Sequence, residues 1–228
     1  MTMIGLPPSR MHKVPMADCV LYLPLWKRIS NKRVWNSIGG KPLTVSGTTP
    51  GKQGFSFDGD DDYVSIPDPS WTHSKGTISL WYKATNNTED FLFGISKGDL
   101  TNYFYISTGT DKVGIRVVTA ATPLEMLTTN VAGSWYHLVV TQDSIKARVY
   151  INGVDKNLSN TGTGTGKEWI SSISGYTYYI IGCMYFNGAY ANDFLGTIGE
   201  IIIYKRALNE HEVKYLYQAT KWRYLSTA

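Results

Sequence analysis

Cysteine and histidine are scarce here. Two cysteines, Cys19 and Cys183, and four histidines occur in 228 residues, and charged side chains make up 18% of the chain. Two thiols cannot staple a chain of this length into a disulfide scaffold, so buried free cysteines are expected. A Cys19–Cys183 clamp would need neighbouring strands and an oxidising compartment. His12, His73, His137 and His211 show no metal-ligand spacing and form no nucleophile–base set with either cysteine. No run approaches the roughly 20 apolar residues of a membrane helix, and Met1 to Met16 lacks the apolar centre of a secretory signal. The chain is therefore expected to be made in a cytoplasm and not to insert into a membrane. No fixed-period repeat is present, which excludes propellers and solenoids.

What is abundant is aromatic and apolar. The composition is 43% hydrophobic and 13% aromatic, with 16 Tyr and 7 Trp. That excludes disorder, collagen and coiled coil, and it favours β-structure around one large core. The net charge of +4 is unevenly placed. Residues 1–52 hold Arg10, Lys13, Lys27, Arg28, Lys32, Arg33, Lys41 and Lys52 against Asp18 alone, so this region carries +7 and the remainder −3. A basic end precedes a mildly acidic body.

Residues 1–17 contain Pro7, Pro8 and Pro15 and read as an extended N-terminal arm. Residues 18–228 read as a single domain. From Val20 onward, short apolar or alternating runs are separated by turn residues at the spacing of a sandwich or jelly roll. Strands are expected near Val20–Trp26, Gly54–Phe57, Tyr63–Ile66, Thr77–Lys83, Phe91–Ser96, Tyr103–Thr108, Val113–Thr119, Trp135–Gln142, Lys146–Ile151, Tyr178–Cys183 and Gly196–Tyr204. Asp58-Gly59, Asn152-Gly153 and Asn187-Gly188 supply turn chemistry between them. One helix is expected near the C-terminus: Asn209 caps it, Glu212 completes a capping box, and Val213, Leu216 and Tyr217 form an apolar stripe to lay on the sandwich edge. The Gly/Thr/Ser/Asn tract Leu158 to Gly166 cannot fill a core and reads as a solvated loop, either a flexible tip or a binding loop.

Three blocks in order carry a family resemblance. They are Phe57-Asp58-Gly59-Asp60-Asp61-Asp62-Tyr63-Val64 with Thr77-Ile78-Ser79-Leu80-Trp81; Trp135-Tyr136-His137-Leu138-Val139-Val140-Thr141 with Val149-Tyr150-Ile151-Asn152-Gly153; and Ile181-Gly182 through Phe194-Leu195-Gly196-Thr197-Ile198-Gly199-Glu200-Ile201-Ile202-Ile203-Tyr204-Lys205-Arg206-Ala207-Leu208. From about Asp18 to Tyr217 the chain resembles the laminin G-like, concanavalin A-like jelly-roll domains. The resemblance implies an all-β fold, a two-sheet antiparallel jelly-roll sandwich, here with one short C-terminal helix. Lectins, glycan hydrolases, adhesion modules and virion proteins all use this architecture, so function must come from the site.

The acidic turn Asp58, Asp60, Asp61, Asp62 offers hard oxygen ligands, yet it is no EF-hand, because Tyr63 and Pro69 stand where glycine and glutamate are required. The resemblance implies a structural calcium near this turn, shared with an acidic residue of the late strand. Gly199 replaces one such residue and leaves Glu200, so the expectation is no cofactor, with calcium as the alternative. Paired catalytic carboxylates on one strand are missing, and Glu89-Asp90 point to opposite faces if extended. No enzymatic activity is expected.

Two surfaces are candidates for binding. Arg10, Lys13, Lys27, Arg28, Lys32 and Arg33 suit docking to an acidic protein surface; they lie on no single helix face and lack the stacking sheet of an RNA-binding module, so nucleic acid is not expected. Between Trp169 and Asn192, aromatic residues interleave with amides. Trp169, Tyr176, Tyr185, Asn187, Tyr190 and Asn192 could contact a sugar, whose apolar faces and hydroxyl edges match rings and amides, or they could serve as core or interface residues. The leading expectation is a structural or interaction module on a virion surface, a capsid decoration or tail-associated protein. It would be homo-oligomeric, docked to other virion proteins by its arm and presenting loops to host glycans. The alternative is a free lectin-like protein that binds carbohydrate with calcium.

Overall fold

The structure is a computed structural model that describes residues 14–26, 43–67, 74–109, 112–119, 123–129, 131–173 and 175–225. Its strands, in chain order, are β1 (Cys19–Pro24), β2 (Thr44–Ser46), β3 (Thr49–Pro50), β4 (Phe55–Asp58), β5 (Tyr63–Ser65), β6 (Gly76–Ala84), β7 (Asp90–Ser96), β8 (Tyr103–Gly109) and β9 (Lys112–Val118). After them come β10 (Leu124–Thr129), β11 (Tyr136–Gln142), β12 (Ala147–Ile151), β13 (Val154–Asp155), β14 (Tyr178–Ile181), β15 (Met184–Phe186), β16 (Ala189–Ala191) and β17 (Leu195–Tyr204). Helix α1 (Glu210–Thr220) and a single turn, α2 (Trp222–Leu225), follow.

Two antiparallel sheets face each other, as the all-β jelly-roll expectation required. The first has eight strands in the order β13-β12-β11-β6-β17-β4-β3, with β1 also paired to β17; the second has seven, β10-β9-β8-β7-β14-β5-β2. The ten-residue β17 is long enough to pair with β4 through Leu195–Ile198 and with β1 through Glu200–Tyr204, with an irregularity between Ile198 and Ile201 against β6. Alternation sends Leu80, Leu138, Ile201, Phe104, Ile115 and Leu124 into one shared core, where each is 0% exposed. Burying such a side chain stabilises the fold by about 1.5–3 kcal/mol relative to leaving it in water.

Each sheet also has an outer face, and each is covered differently. On the eight-stranded sheet, Val139, Tyr150, Ile202 and Tyr204 meet Leu208, Val213 and Leu216 of the helical segment. Helix α1 therefore lies across the sheet's outer face and not at the sandwich edge as expected, because the outward residues of the central strands are apolar and need a lid. The Asn209–Glu212 capping box forms as expected, with Glu212 also taking both guanidinium NH groups of Arg206 at 2.7 and 2.8 Å. Under the helix, Trp81 stacks on His137, Tyr217 and Tyr224, and its indole N–H donates to Thr220 at 2.8 Å. Of the expected arm, residues 14–17 are described: Val14 packs against this same cluster, and the Tyr204 hydroxyl donates to the Pro15 carbonyl at 2.9 Å.

On the seven-stranded sheet, the β15–β16 ribbon covers the outer face over β7 and β14. Met184 packs with Phe91 and Tyr105, and Ser96 donates to the Tyr185 carbonyl at 2.7 Å. Two glycines permit this approach. A Cβ on Gly94 would sit 2.8 Å from the Met184 sulfur, and Gly182, at φ +91°, turns the chain back with the Phe57 ring 2.3 Å from where a Cβ would be. Both cysteines are free, as expected, and burial raises both thiols, Cys19 to about 12.

The tract 158–166 is pinned in place. Glu168 accepts from the Thr165 amide and hydroxyl and from the Gly166 amide. Asn160 accepts from the Glu125 and Gly162 amides, and the Thr161 and Gly164 amides donate to the Glu125 and Pro123 carbonyls. This loop seals the otherwise open edge of β10, a position where bare backbone groups invite strand pairing.

Candidate functional site

Beyond the ribbon, the outer face of β8, β9 and β10 is open. Strand register builds it in rows: Tyr105, Arg116 and Glu125 stand opposite one another, and one step along the strands come Ser107, Gly114 and Leu127. Gly114 contributes no side chain, and the Leu127 side chain closes over it, 2.8 Å from where a Cβ would be. Beside them lies a groove of about 410 Å³ lined by Glu89, Ser107, Thr108, Gly109, Lys112, Arg116, Glu125 and Leu127. Glu89 and Lys112 are exposed, Arg116, Glu125 and Leu127 half-buried, and Ser107 and Thr108 form the buried floor. The pinned loop reaches the groove's Glu125, to whose Oε2 the Thr161 hydroxyl donates at 3.3 Å. On the ribbon side the groove is bordered by the stacked pair Tyr103–Tyr105, with Phe91 4.4 Å from Tyr105 between ring centres.

Electrostatically the groove is mixed. Arg116 donates to the Tyr105 hydroxyl, which raises the guanidinium further above its ordinary range. Burial raises Tyr105, against the opposing pull of that same hydrogen bond. Such a surface offers cations, carboxylate and hydroxyl acceptors, and an apolar border within one depression, the equipment for holding a polyhydroxylated ligand without bonding to it covalently.

The sugar-contact residues expected from sequence divide into two groups. Trp169 is 0% exposed and packs edge-on to Phe104 in the core, so it is not a surface residue: the inter-sheet space next to Phe104 is filled by its indole. Tyr176 is half-buried, with its ring edge against Tyr179 of the core. Tyr185, Asn187 and Tyr190 do come together on the ribbon, where Tyr190 stacks on Tyr63 at 4.5 Å and Tyr185 lies against Tyr178 at 4.3 Å. Asn192 follows the ribbon, and its amide donates to the Glu89 carbonyl at 2.9 Å, next to the groove. The docking residues Arg10, Lys13, Lys27, Arg28, Lys32 and Arg33 all lie outside the described residues.

The groove itself was not legible from sequence. Residues 124–129 break the expected alternation because Leu127 is apolar yet faces outward, so β10 and with it Glu125 escaped notice. Glu89 and Asp90 do face apart: Glu89 lines the groove, while Asp90 is 5% exposed and accepts from the Thr88 hydroxyl at 2.7 Å.

The acidic turn gathers partly as expected. Asp58, Asp61 and Asp62 each place a carboxylate oxygen within 4.8 Å of the others. Burial raises Asp62, opposed by the Asp58 amide that donates to it at 2.9 Å, and the Asp58 and Asp61 charges raise it further. Asp193 is raised first by burial and then by nearby Asp60, Asp61 and Asp90, and its Oδ1 is buried without a partner. This concentration of like charge and hard oxygen fits a divalent cation such as calcium. Glu200, the late-strand candidate ligand, does not join it. Its carboxylate faces the opposite outer surface, where Arg223 donates to it at 2.8 Å, Trp26 at 3.1 Å and Tyr22 at 3.3 Å.

A family model described as the concanavalin A-like lectin/glucanases superfamily matches residues 58–214. A search of curated protein sequences returns no significant match. Among solved structures, domain 4 of AbnA, an extracellular arabinanase of family GH43 from Geobacillus stearothermophilus solved with arabinotriose, is similar at TM-score 0.65 and 21% identity, covering 88% of this chain and 98% of that one. The CBM40 of the Ruminococcus gnavus IT-sialidase bound to α2,3-sialyllactose is similar at TM-score 0.60 and 16% identity, covering 76% and 97%. The NanB sialidase of Streptococcus pneumoniae matches at TM-score 0.61 and 20% identity over 70% of this chain, which spans about a quarter (27%) of that enzyme. At these identities the likeness establishes the fold.

Proposed function

Because the chain belongs to the concanavalin A-like lectin/glucanases superfamily, we propose that it is a non-catalytic carbohydrate-binding module whose binding surface is the groove on the outer face of the seven-stranded sheet. The observation that carries this reading is the groove's lining, in which Arg116, Lys112, Glu89, Glu125 and Ser107 converge beside Leu127. Two neighbours that are similar over nearly their whole length were solved with oligosaccharides, which supports glycan as the ligand class. Of the groove's two carboxylates Glu89 is exposed and Glu125 half-buried, and ionised carboxylates accept sugar hydroxyls.

Val14 to Met16 lie on the outer face of the other sheet. A module attached through its N-terminal segment would therefore present the groove away from its attachment, and this arrangement supports docking to a larger assembly such as a virion surface with the glycan site outward.

A glycan-array screen of the purified chain is expected to show reproducible binding. Leu127→Trp, which fills the groove, should weaken it at least about tenfold, or about 1.4 kcal/mol; Tyr190→Ala on the ribbon should leave it unchanged. The reverse pattern would move the site to the tyrosine ribbon and overturn the groove assignment. Hydrolysis of a glycan that disappears in Glu125→Gln would overturn the non-catalytic reading.

Asp58, Asp61 and Asp62 are the residues that would hold calcium, which when bound supplies the missing positive charge at their turn. With a dissociation constant typical of extracellular modules, 10 mM calcium would stabilise the fold by about 1.4–2.7 kcal/mol. Thermal melts in calcium and in chelator should differ accordingly for the wild-type chain but not for Asp61→Asn. Coincident wild-type melts would show the turn to be a solvated acidic cluster.

A further inference from the structure

Arg116 and Glu125 stand directly opposite each other on β9 and β10, the placement in which an ion pair is expected. Among the described residues no ion pair forms there. The ion pairs join Lys97, Arg148, Lys205, Arg206 and Arg223 to their partners, and neither Arg116 nor Lys112 takes part. Arg116 turns instead to the Tyr105 hydroxyl on its other side, and Glu125 turns to Thr161. The Nε of Arg116 is buried without a partner, so the guanidinium is short of acceptors. Two cations that form no ion pair among the described residues thus line one groove with two carboxylates, and the Glu125 charge still acts on Arg116.

We propose that the ligand of this groove is an acidic sugar, a pyranose bearing one carboxylate, with the carboxylate on Arg116 and Lys112 and the ring hydroxyls on Glu125, Glu89 and Ser107. The inference rests on the groove being the glycan site. The chemistry selects this class on two grounds. A neutral sugar offers the Arg116 guanidinium, whose Nε has no partner, only hydroxyl oxygens, whereas a carboxylate accepts charge-assisted hydrogen bonds from it. A simple multivalent anion such as phosphate would meet Glu89 and Glu125 with repulsion and offer them no hydroxyl donors, whereas a sugar acid donates its hydroxyls to those same oxygens. Leu127 faces the apolar C–H surface that remains.

Titration calorimetry of the full chain tests this with 3′-sialyllactose, its methyl ester, trigalacturonic acid and neutral arabinotriose. One of the two acids is expected to bind at least tenfold more tightly than the methyl ester or arabinotriose, and which acid it is separates a nonulosonic acid from a uronic acid. Arg116→Gln should remove that preference and Arg116→Lys should retain part of it, with both variants melting as the wild type does. An ester that binds as well as its acid, or an acid preference that survives Arg116→Gln, would overturn the inference. Arabinotriose binding that Leu127→Trp abolishes, with no preference for either acid, would overturn it while the glycan reading stood. Failure of all four probes together with an empty glycan array would overturn the glycan reading itself.

Discussion

Arg223→Met is expected to destabilise the protein by about 3–5 kcal/mol, measured as the shift in free energy from urea unfolding at neutral pH. Glu200 is 1% exposed, and burial raises its carboxyl against the opposing effects of Arg223, Trp26 and Tyr22. Arg223 is the one cation paired with it among the described residues, at 2.8 Å, and the guanidinium also lies 4.1 Å from the ring centre of Trp26 and 4.9 Å from that of Trp222. Methionine fills similar space between the rings but strands a buried carboxylate. Glu200→Gln in the same background removes that charge, so the double variant should recover most of the loss. Equal losses in the single and double variants would show that stacking on the tryptophans, worth about 0.5–2 kcal/mol, outweighs the ion pair.

Acid should unfold the chain through His137. Its ring is buried against Trp81 and Tyr217, its Nε2 lies 2.8 Å from the Ser79 hydroxyl, and its Nδ1 has no partner. Desolvation lowers it from 6.5 to about 3. A histidine depressed in the folded state binds its proton more readily when unfolded. Its contribution is therefore fully present above pH 6.5 and is lost as pH falls from 6.5 toward 3. The loss between pH 7 and pH 5 is about 2 kcal/mol, approaching about 4 by pH 3. Asp62, Asp193 and Glu200, raised in the folded state, oppose the trend as they gain protons, but they do so in wild type and variant alike. The unfolding free energy from urea titrations should therefore fall less between pH 7 and pH 5 in His137→Gln than in the wild type, by about 2 kcal/mol. Identical falls would assign the acid sensitivity to carboxylates lowered in the folded state, such as Glu168 and Glu212.

The same buried histidine shows how sequence and structure divide the information. Trp135-Tyr136-His137 marks a strand with a structural imidazole, and that much is visible in the residues alone. That Ser79 and His137 form a hydrogen-bonded pair is not, because β6 and β11 meet through a register set by the whole sheet. The pair lies 1% exposed beneath α1, so it is a packing feature without access to substrate. The site shows the same division more sharply. The aromatic run 169–192 attracts attention as a sugar surface, yet Trp169 is core, and the opening lies on β8 to β10, where the residues are of mixed character and individually unremarkable.

The sequence by itself determined eleven of the seventeen strands with the turns between them, though not the short β2, β3, β13, β15 and β16 or the irregular β10, and also the capping of α1, the free cysteines and the family, since each depends on local periodicity, turn chemistry or short ordered motifs. Tertiary structure decided which outer face each covering element takes, that Glu200 pairs with Arg223 and not with the acidic turn, and that Glu89, Arg116 and Glu125 share one groove. Those outcomes follow from cross-strand register and from sheet packing, in which residues far apart in the chain become neighbours through pairings that no local pattern encodes.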